Sequence, residues 1–187
     1  MKSVCYVQAR GGSKRIPHKN KMLWHGIPFV ADAIVKANMT GLFDMIMVSS
    51  DDTEILDIAR KYGALPVLRS KEMSGDNITD AQLAKEIFTP LKHYDHICCL
   101  YPCVPLLTVQ DMRSAYSRFF TTETEALRAV DKTGKDAGAF YFFRMTDKPI
   151  DTLKYLDYTL EVAQDINTMD DIKEAKRKYE NNRLLDR

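Results

Sequence analysis

The chain opens on an apolar run, SVCYVQ (3–8), with almost no polar alternation. Such a run reads as a strand covered on both faces. Apolar positions then recur at helical spacing through 28–39, with Pro28 suited to the first turn and Gly41 just past the end. DMIMVSS (44–50) is again apolar nearly throughout and reads as a second buried strand. Asp51 and Asp52 can cap a helix over 53–62 that Gly63 stops, and LPVLR (65–69) follows as a short strand. After the polar stretch SKEMSGDN, the pattern predicts a helix over 79–94 and a buried strand at HICCLY (96–101). Thr108 then caps VQDMRSAYSRFF, with Asp111 in the capping-box position.

Past residue 120, EALRAVDKTGKDAGAFYFF reads as two strands about a turn at Gly134. LEVAQDINT reads as a strand running into a polar turn, and Thr168 caps a final helix with an acidic start and a basic end. Strands alternating with helices predict an α/β fold: a three-layer, Rossmann-like, doubly wound and mostly parallel sheet. Ligands of such sheets bind at the carboxyl ends of the strands. No repeat, low-complexity tract or linker divides residues 1–187, so one domain is expected.

Composition narrows the function classes. Lys and Arg number 27 against 26 Asp and Glu, which leaves no basic field for nucleic acid or a membrane surface. A local cluster of cations therefore points to a local anion. No apolar stretch reaches membrane-spanning length and the first residues do not resemble a signal peptide, so a cytoplasmic protein is expected. Cys5, Cys98, Cys99 and Cys103 lie in or beside apolar runs and read as buried free thiols of a reducing compartment. The four histidines form no metal-ligand pattern.

The cations gather in ARGGSKRIPHKN (9–20), just after the first strand. Gly11 and Gly12 would let the backbone take positive φ and bring its N–H groups close to an anion. Arg10 offers a planar fork for phosphate, and Lys14 and Lys19 offer point charges. The spacing matches neither a Walker P-loop nor G-x-G-x-x-G.

ARGGSKRIPHKN followed by GIP (26–28) resembles the opening signature of the CMP-sugar synthetases, the cytidylyltransferases that activate sialic and related nonulosonic acids. The resemblance continues, in order, through GLFDMIMVSSDDTEILDIARKYGA, LRSKEMSGD, CCLYPCVPLL (similar to the pseudaminic acid branch), DAGAFYFF and QDINTMDD. It implies a nucleotide-diphospho-sugar transferase-like fold and transfer of CMP from CTP to an acidic sugar, with loss of pyrophosphate. It also implies a magnesium ion. On this resemblance Arg10, Gly11, Gly12, Ser13, Lys14, Lys19 and Asn20 bind the nucleotide, with Arg69, Ser74, Asp76 and Thr79 beside them. Tyr101 and Cys103 face base or sugar, Asp165 and Asn167 occupy the metal positions, and Arg10, Lys14 and Asp165 carry the chemistry.

Three departures stand against the family pattern. Asn167 replaces a second carboxylate, which removes charge from the metal site. Cys103 and Ala139 stand where relatives carry polar side chains, which removes hydrogen-bonding capacity from the sugar side. The stretch between about 121 and 137 is short where relatives carry a sugar-contacting and dimerisation arm, so a monomer or weak homodimer is expected. A catalytically weak nucleotide binder and a sugar-1-phosphate nucleotidyltransferase are the two alternative readings.

Overall fold

The computed structural model describes residues 1–75, 78 and 80–185. Strand β1 (Ser3–Gln8) lies in the interior of a seven-stranded sheet because it has almost nothing to present to water. Cys5 and Val7 point into one apolar cluster, Val4 and Tyr6 into another on the opposite face. β1 pairs in parallel with β4 (Met45–Ser50) on one side and with β6 (His96–Leu100) on the other. Beyond β4 lies β5 (Leu65–Leu68), also parallel. Beyond β6 lie β8 (Asp136–Arg144), β7 (Ala126–Val130) and β9 (Tyr155–Thr159). β8 runs antiparallel to both its neighbours, and β9 is parallel to β7, so β8 alone opposes the common strand direction.

Helices α1 (Phe29–Thr40), α2 (Thr53–Lys61) and α4 (Val109–Thr121) cover one face. α3 (Asp80–Phe88) supplies Ile87 to the other. Two-residue strands β2 (Leu23–Trp24) and β3 (Ile27–Pro28) form a hairpin whose Trp24 stacks near Phe29 and meets Tyr179 of α5 (Met169–Leu185) edge-on.

The caps explain the boundaries. Asp52 accepts from the Glu54 and Ile55 amides, Thr108 and Asp111 form a reciprocal capping box, and Gly41 closes α1 in the left-handed region at φ 65°. Two expectations need correction. The helix expected over 79–94 ends at Phe88 and tightens into a 3-10 turn, Thr89–Leu91, because Pro90 has no N–H to continue the ladder. The strand expected in LEVAQDINT lies upstream as β9. The Leu160 amide makes the last bond to the sheet, to the Val130 carbonyl at 2.8 Å, and the chain then leaves as irregular backbone. The short stretch before β8 holds β7 and a turn through Gly134 at φ 81°.

At the edge away from the strands' carboxyl ends, His96 is buried between Tyr116 and Arg144. Its Nδ1 lies 2.9 Å from the Tyr116 hydroxyl and its Nε2 lies 3.0 Å from the Arg144 guanidinium. Arg144 can only donate, so Nε2 accepts and Nδ1–H donates. Burial first, and the Arg144 charge second, push the His96 pKa below the ordinary range. The unfolded chain therefore takes up the proton first, and stability present above about pH 6.5 declines as the solution is acidified. The melting temperature should fall between roughly pH 7 and 5, and a His96→Gln variant should show a flatter slope over that window. An equal slope in both proteins would remove His96 as the cause.

Candidate active site

β1 and β6 are neighbours, yet the chain leaves β1 toward β4 and β5 before it returns to β6. That reversal opens a crevice beyond the carboxyl ends of β1 and β6, where open α/β sheets bind ligands. A cavity of about 750 Å³ occupies it. Its walls come from the loop after β1, the Tyr101–Cys103 segment after β6, the segment after β5, the start of β8, and residues 165–167 before α5.

The first loop is anchored from behind. The Gly11 amide donates to Asp51 Oδ1 at 2.8 Å, and Lys21 bridges Asp52 at 2.8 Å and Glu54 at 2.7 Å. Burial works against the Asp52 charge, but the Lys21 ammonium and the Glu54 amide hold its carboxyl below the usual range. The expected glycine conformation needs correction: neither Gly11 nor Gly12 takes a positive φ. Gly11 is needed for space, since a Cβ there would stand 2.7 Å from Asp52 Cβ. The left-handed residue of the loop is His18, at φ 55°, where the chain turns into a 3-10 segment at Lys19–Lys21. The Gly11 N–H is already bonded, so side chains supply most of the loop's positive charge to the cavity.

Arg10, Ser13, Lys14, Lys19, Asn20, Arg69, Ser74, Tyr101, Cys103, Asp165 and Asn167, all expected from the sequence, line this one cavity. Gly11 and Gly12 shape the loop without lining it, and Asp76 and Thr79 lie outside the described residues. Arg69 is only 5 % exposed. Its guanidinium donates to the Ser49 hydroxyl at 3.0 Å and to the Ser49 carbonyl at 3.4 Å, and it forms no ion pair with a described carboxylate. A buried cation without a counter-charge is costly, and an anionic ligand would compensate it.

Asp165 is half-buried. Burial raises its carboxyl above the ordinary range, opposed by the Lys19 ammonium and by the Asn167 amide that donates to Oδ2. The Asn167 oxygen accepts from Arg15 at 2.9 Å, so it is engaged away from Asp165. Among the described residues no three His, Cys, Asp or Glu side chains cluster as a metal cage. The carboxylates that line this cationic cavity are Asp165 and Asp136. That suits magnesium, which is commonly held by one or two carboxylates together with phosphate oxygens.

Several lining residues were not singled out from the sequence: Gln8, Arg15, Asp136, Gly138 and Tyr141. Asp136 accepts from the Gly138 amide at 2.8 Å and from the Tyr141 hydroxyl. Burial and then Asp136 push the Tyr141 phenol strongly upward, so it stays a donor. Two of these had signals: Gly138, a glycine inside a strand, and Gln8, a polar residue ending an apolar strand. Ala139, by contrast, is fully buried in the core, so its side chain does not reach the cavity.

A family model described as Cytidylyltransferase matches residues 4–141. The chain is 41% identical over 134 residues to a pseudaminic acid cytidylyltransferase of Campylobacter jejuni subsp. jejuni serotype O:23/36, covering 69% of this chain and 58% of that protein. It is 32% identical over 120 residues to a CMP-N,N'-diacetyllegionaminic acid synthase of Legionella pneumophila, covering 62% and 52%. The chain thus spans little more than half the length of these relatives. In fold it is similar to a CMP:2-keto-3-deoxy-manno-octonic acid synthetase solved with CTP, with a TM-score of 0.77 at 11% identity over 97% of this chain and 100% of that one.

Proposed function

Because this chain belongs to the cytidylyltransferase family, we propose that it transfers CMP from CTP to an acidic nonulosonic sugar of the sialic or pseudaminic acid type, releasing pyrophosphate. The observation that carries this reading is the cavity at the β1–β6 switch point, where Arg10, Lys14, Lys19 and the buried Arg69 converge near the half-buried Asp165.

The acceptor hydroxyl attacks the α-phosphorus, the bond to the bridging oxygen breaks, and pyrophosphate leaves. No protein nucleophile takes part. The chain's task is to bind a polyanion, fix its orientation and offset the charge that grows on the leaving group. Arg10 and Lys14, from the first loop, face the phosphates. Arg69 holds its guanidinium ready in a buried setting, where a fixed charge acts more strongly than in water. Tyr101 and Tyr141, 6.1 Å apart between ring centroids, form an aromatic wall on the β6–β8 side for base or sugar. Asp165 would hold magnesium together with phosphate oxygens, and the ion would supply Lewis-acid stabilisation of the transferring phosphoryl group.

Pyrophosphate release should appear when CTP and magnesium are mixed with a suitable member of a panel of ulosonic acids. CTP binding without release for any acid would overturn catalysis and favour the weak nucleotide binder, a reading to which the neutral amide of Asn167 beside Asp165 gives some ground. Lys14→Ala should weaken CTP binding by about 10- to 100-fold, as expected for loss of a charge-assisted contact, and CMP binding by about twofold or less. Equal losses for both ligands would show that Lys14 does not meet the outer phosphates.

A further inference from the structure

Three hydrogen bonds close a ring at the wall of the cavity, and a fourth ties the Arg10 carbonyl to it. Asn20 Nδ2 donates to the Arg10 carbonyl at 2.8 Å, and Cys103 Sγ donates to Asn20 Oδ1 at 3.1 Å. The Ile166 amide donates to the Cys103 carbonyl at 3.0 Å, and Lys19 Nζ donates to the Ile166 carbonyl at 2.6 Å. Lys19 and Asn20 are chain neighbours, so the ring is complete. It ties together three segments far apart in sequence: the cationic loop, the turn after β6 and the stretch that carries Asp165.

The members face inward. Cys103 is 3 % exposed and Asn20 6 %, and both amide heteroatoms of Asn20 are bonded to the protein. Cys103 also packs with Ile16, Trp24 and Ile166 in one apolar cluster, which holds its sulfur over Asn20. Such a thiol makes a poor ligand for a sugar hydroxyl and a serviceable single donor to a fixed amide oxygen.

We propose that Cys103 is a positioning residue: through Asn20 its thiol fixes the Arg10 carbonyl, and with it the cationic loop, relative to Asp165. This assignment rests on the nucleotidyltransferase reading for its catalytic consequence, but the ring itself stands apart from that reading. Burial pushes the thiol up to about 12, so it remains a protonated donor across the working range.

Cys103→Ala removes the donor and leaves Asn20 Oδ1 without its partner, whereas Cys103→Ser restores an O–H donor of similar size. Hydrogen exchange of the 9–22 backbone, measured without nucleotide, should quicken about tenfold in Cys103→Ala and return near the wild-type rate in Cys103→Ser. In calorimetry and turnover, Cys103→Ala should raise the CTP Kd about tenfold and lower kcat, with the acceptor KM unchanged and both losses recovered by serine. Unchanged exchange in Cys103→Ala, or a serine variant as impaired as alanine, would overturn the proposal. So would a raised acceptor KM at unchanged CTP Kd, which would place Cys103 against the sugar. Quickened exchange with serine rescue, in a wild-type protein that binds no CTP, would keep the ring and defeat the nucleotide reading instead.

Discussion

Asp165→Asn should lower pyrophosphate release by about 10²- to 10³-fold while leaving the melting temperature at neutral pH unchanged or higher. The two halves of this expectation share one origin. Burial disfavours the Asp165 carboxylate, and the Lys19 ammonium and the Asn167 amide only partly offset it, so the folded-state pKa is raised. A carboxyl raised on folding contributes stability below its unfolded value of about 3.9 and loses it as pH rises through the folded value. At neutral pH the ionised group therefore works against folding, and a neutral amide relieves that cost. The charge is kept for the ligand. Measuring turnover and thermal unfolding on the same preparation checks both halves. A variant with full activity would show that Asp165 does not serve the reaction, and a clearly lowered melting temperature would show that its carboxylate is a structural partner.

The core strands and caps were legible because one local signal sufficed for each. β1 and β4 are continuous apolar runs, and both sides of a parallel sheet are covered, so no tertiary information was needed to find them. β9 was harder. It is an edge strand, half-exposed, and its Asp157 pairs with Arg128 across the ladder at 2.7 Å. YLDYT mixes aromatic, apolar and polar positions, a weaker pattern than the Leu160, Val162 and Ala163 of the LEVA that follows it. Leu160 is buried because it ends the ladder and packs in the core, which gave that segment its strand-like look.

The site divides along the same line. Arg10, Lys14 and Lys19 were visible because four cations crowd one loop, and Asp165 because a resemblance marked it. Arg15 sits in the same cluster, yet its engagement with Asn167, 152 positions away, arises only when the two loops meet. Asp136 and Tyr141 belong to a strand whose register brings one end to the cavity, and nothing local announces it. The inward turn of Asn20 and Cys103 was likewise hidden, since a polar residue near a cationic loop reads as a ligand until its partners are known.

Gly138→Ala should reduce turnover nearly as far as loss of Asp165 itself, by about 10²-fold, though residue 138 carries no functional group. Gly138 lies within β8 at φ 57°, a left-handed conformation that costs a residue with a side chain about 1–3 kcal/mol. Its Cβ would stand 3.1 Å from Asp165 Oδ2 and 3.3 Å from Asp165 Cγ. Either the strand straightens, or the carboxylate swings away from the cavity. Straightening would also disturb the Gly138 amide that holds Asp136, and with it the Tyr141 hydroxyl. The variant should therefore unfold at a lower temperature than the wild type, in contrast to Asp165→Asn, and lose turnover together with manganese affinity measured by electron paramagnetic resonance. Manganese serves here as the spectroscopic probe for the same hard-oxygen site. A stable, fully active Gly138→Ala protein would mean that β8 can yield without moving Asp165, and that the glycine serves the strand's bend alone.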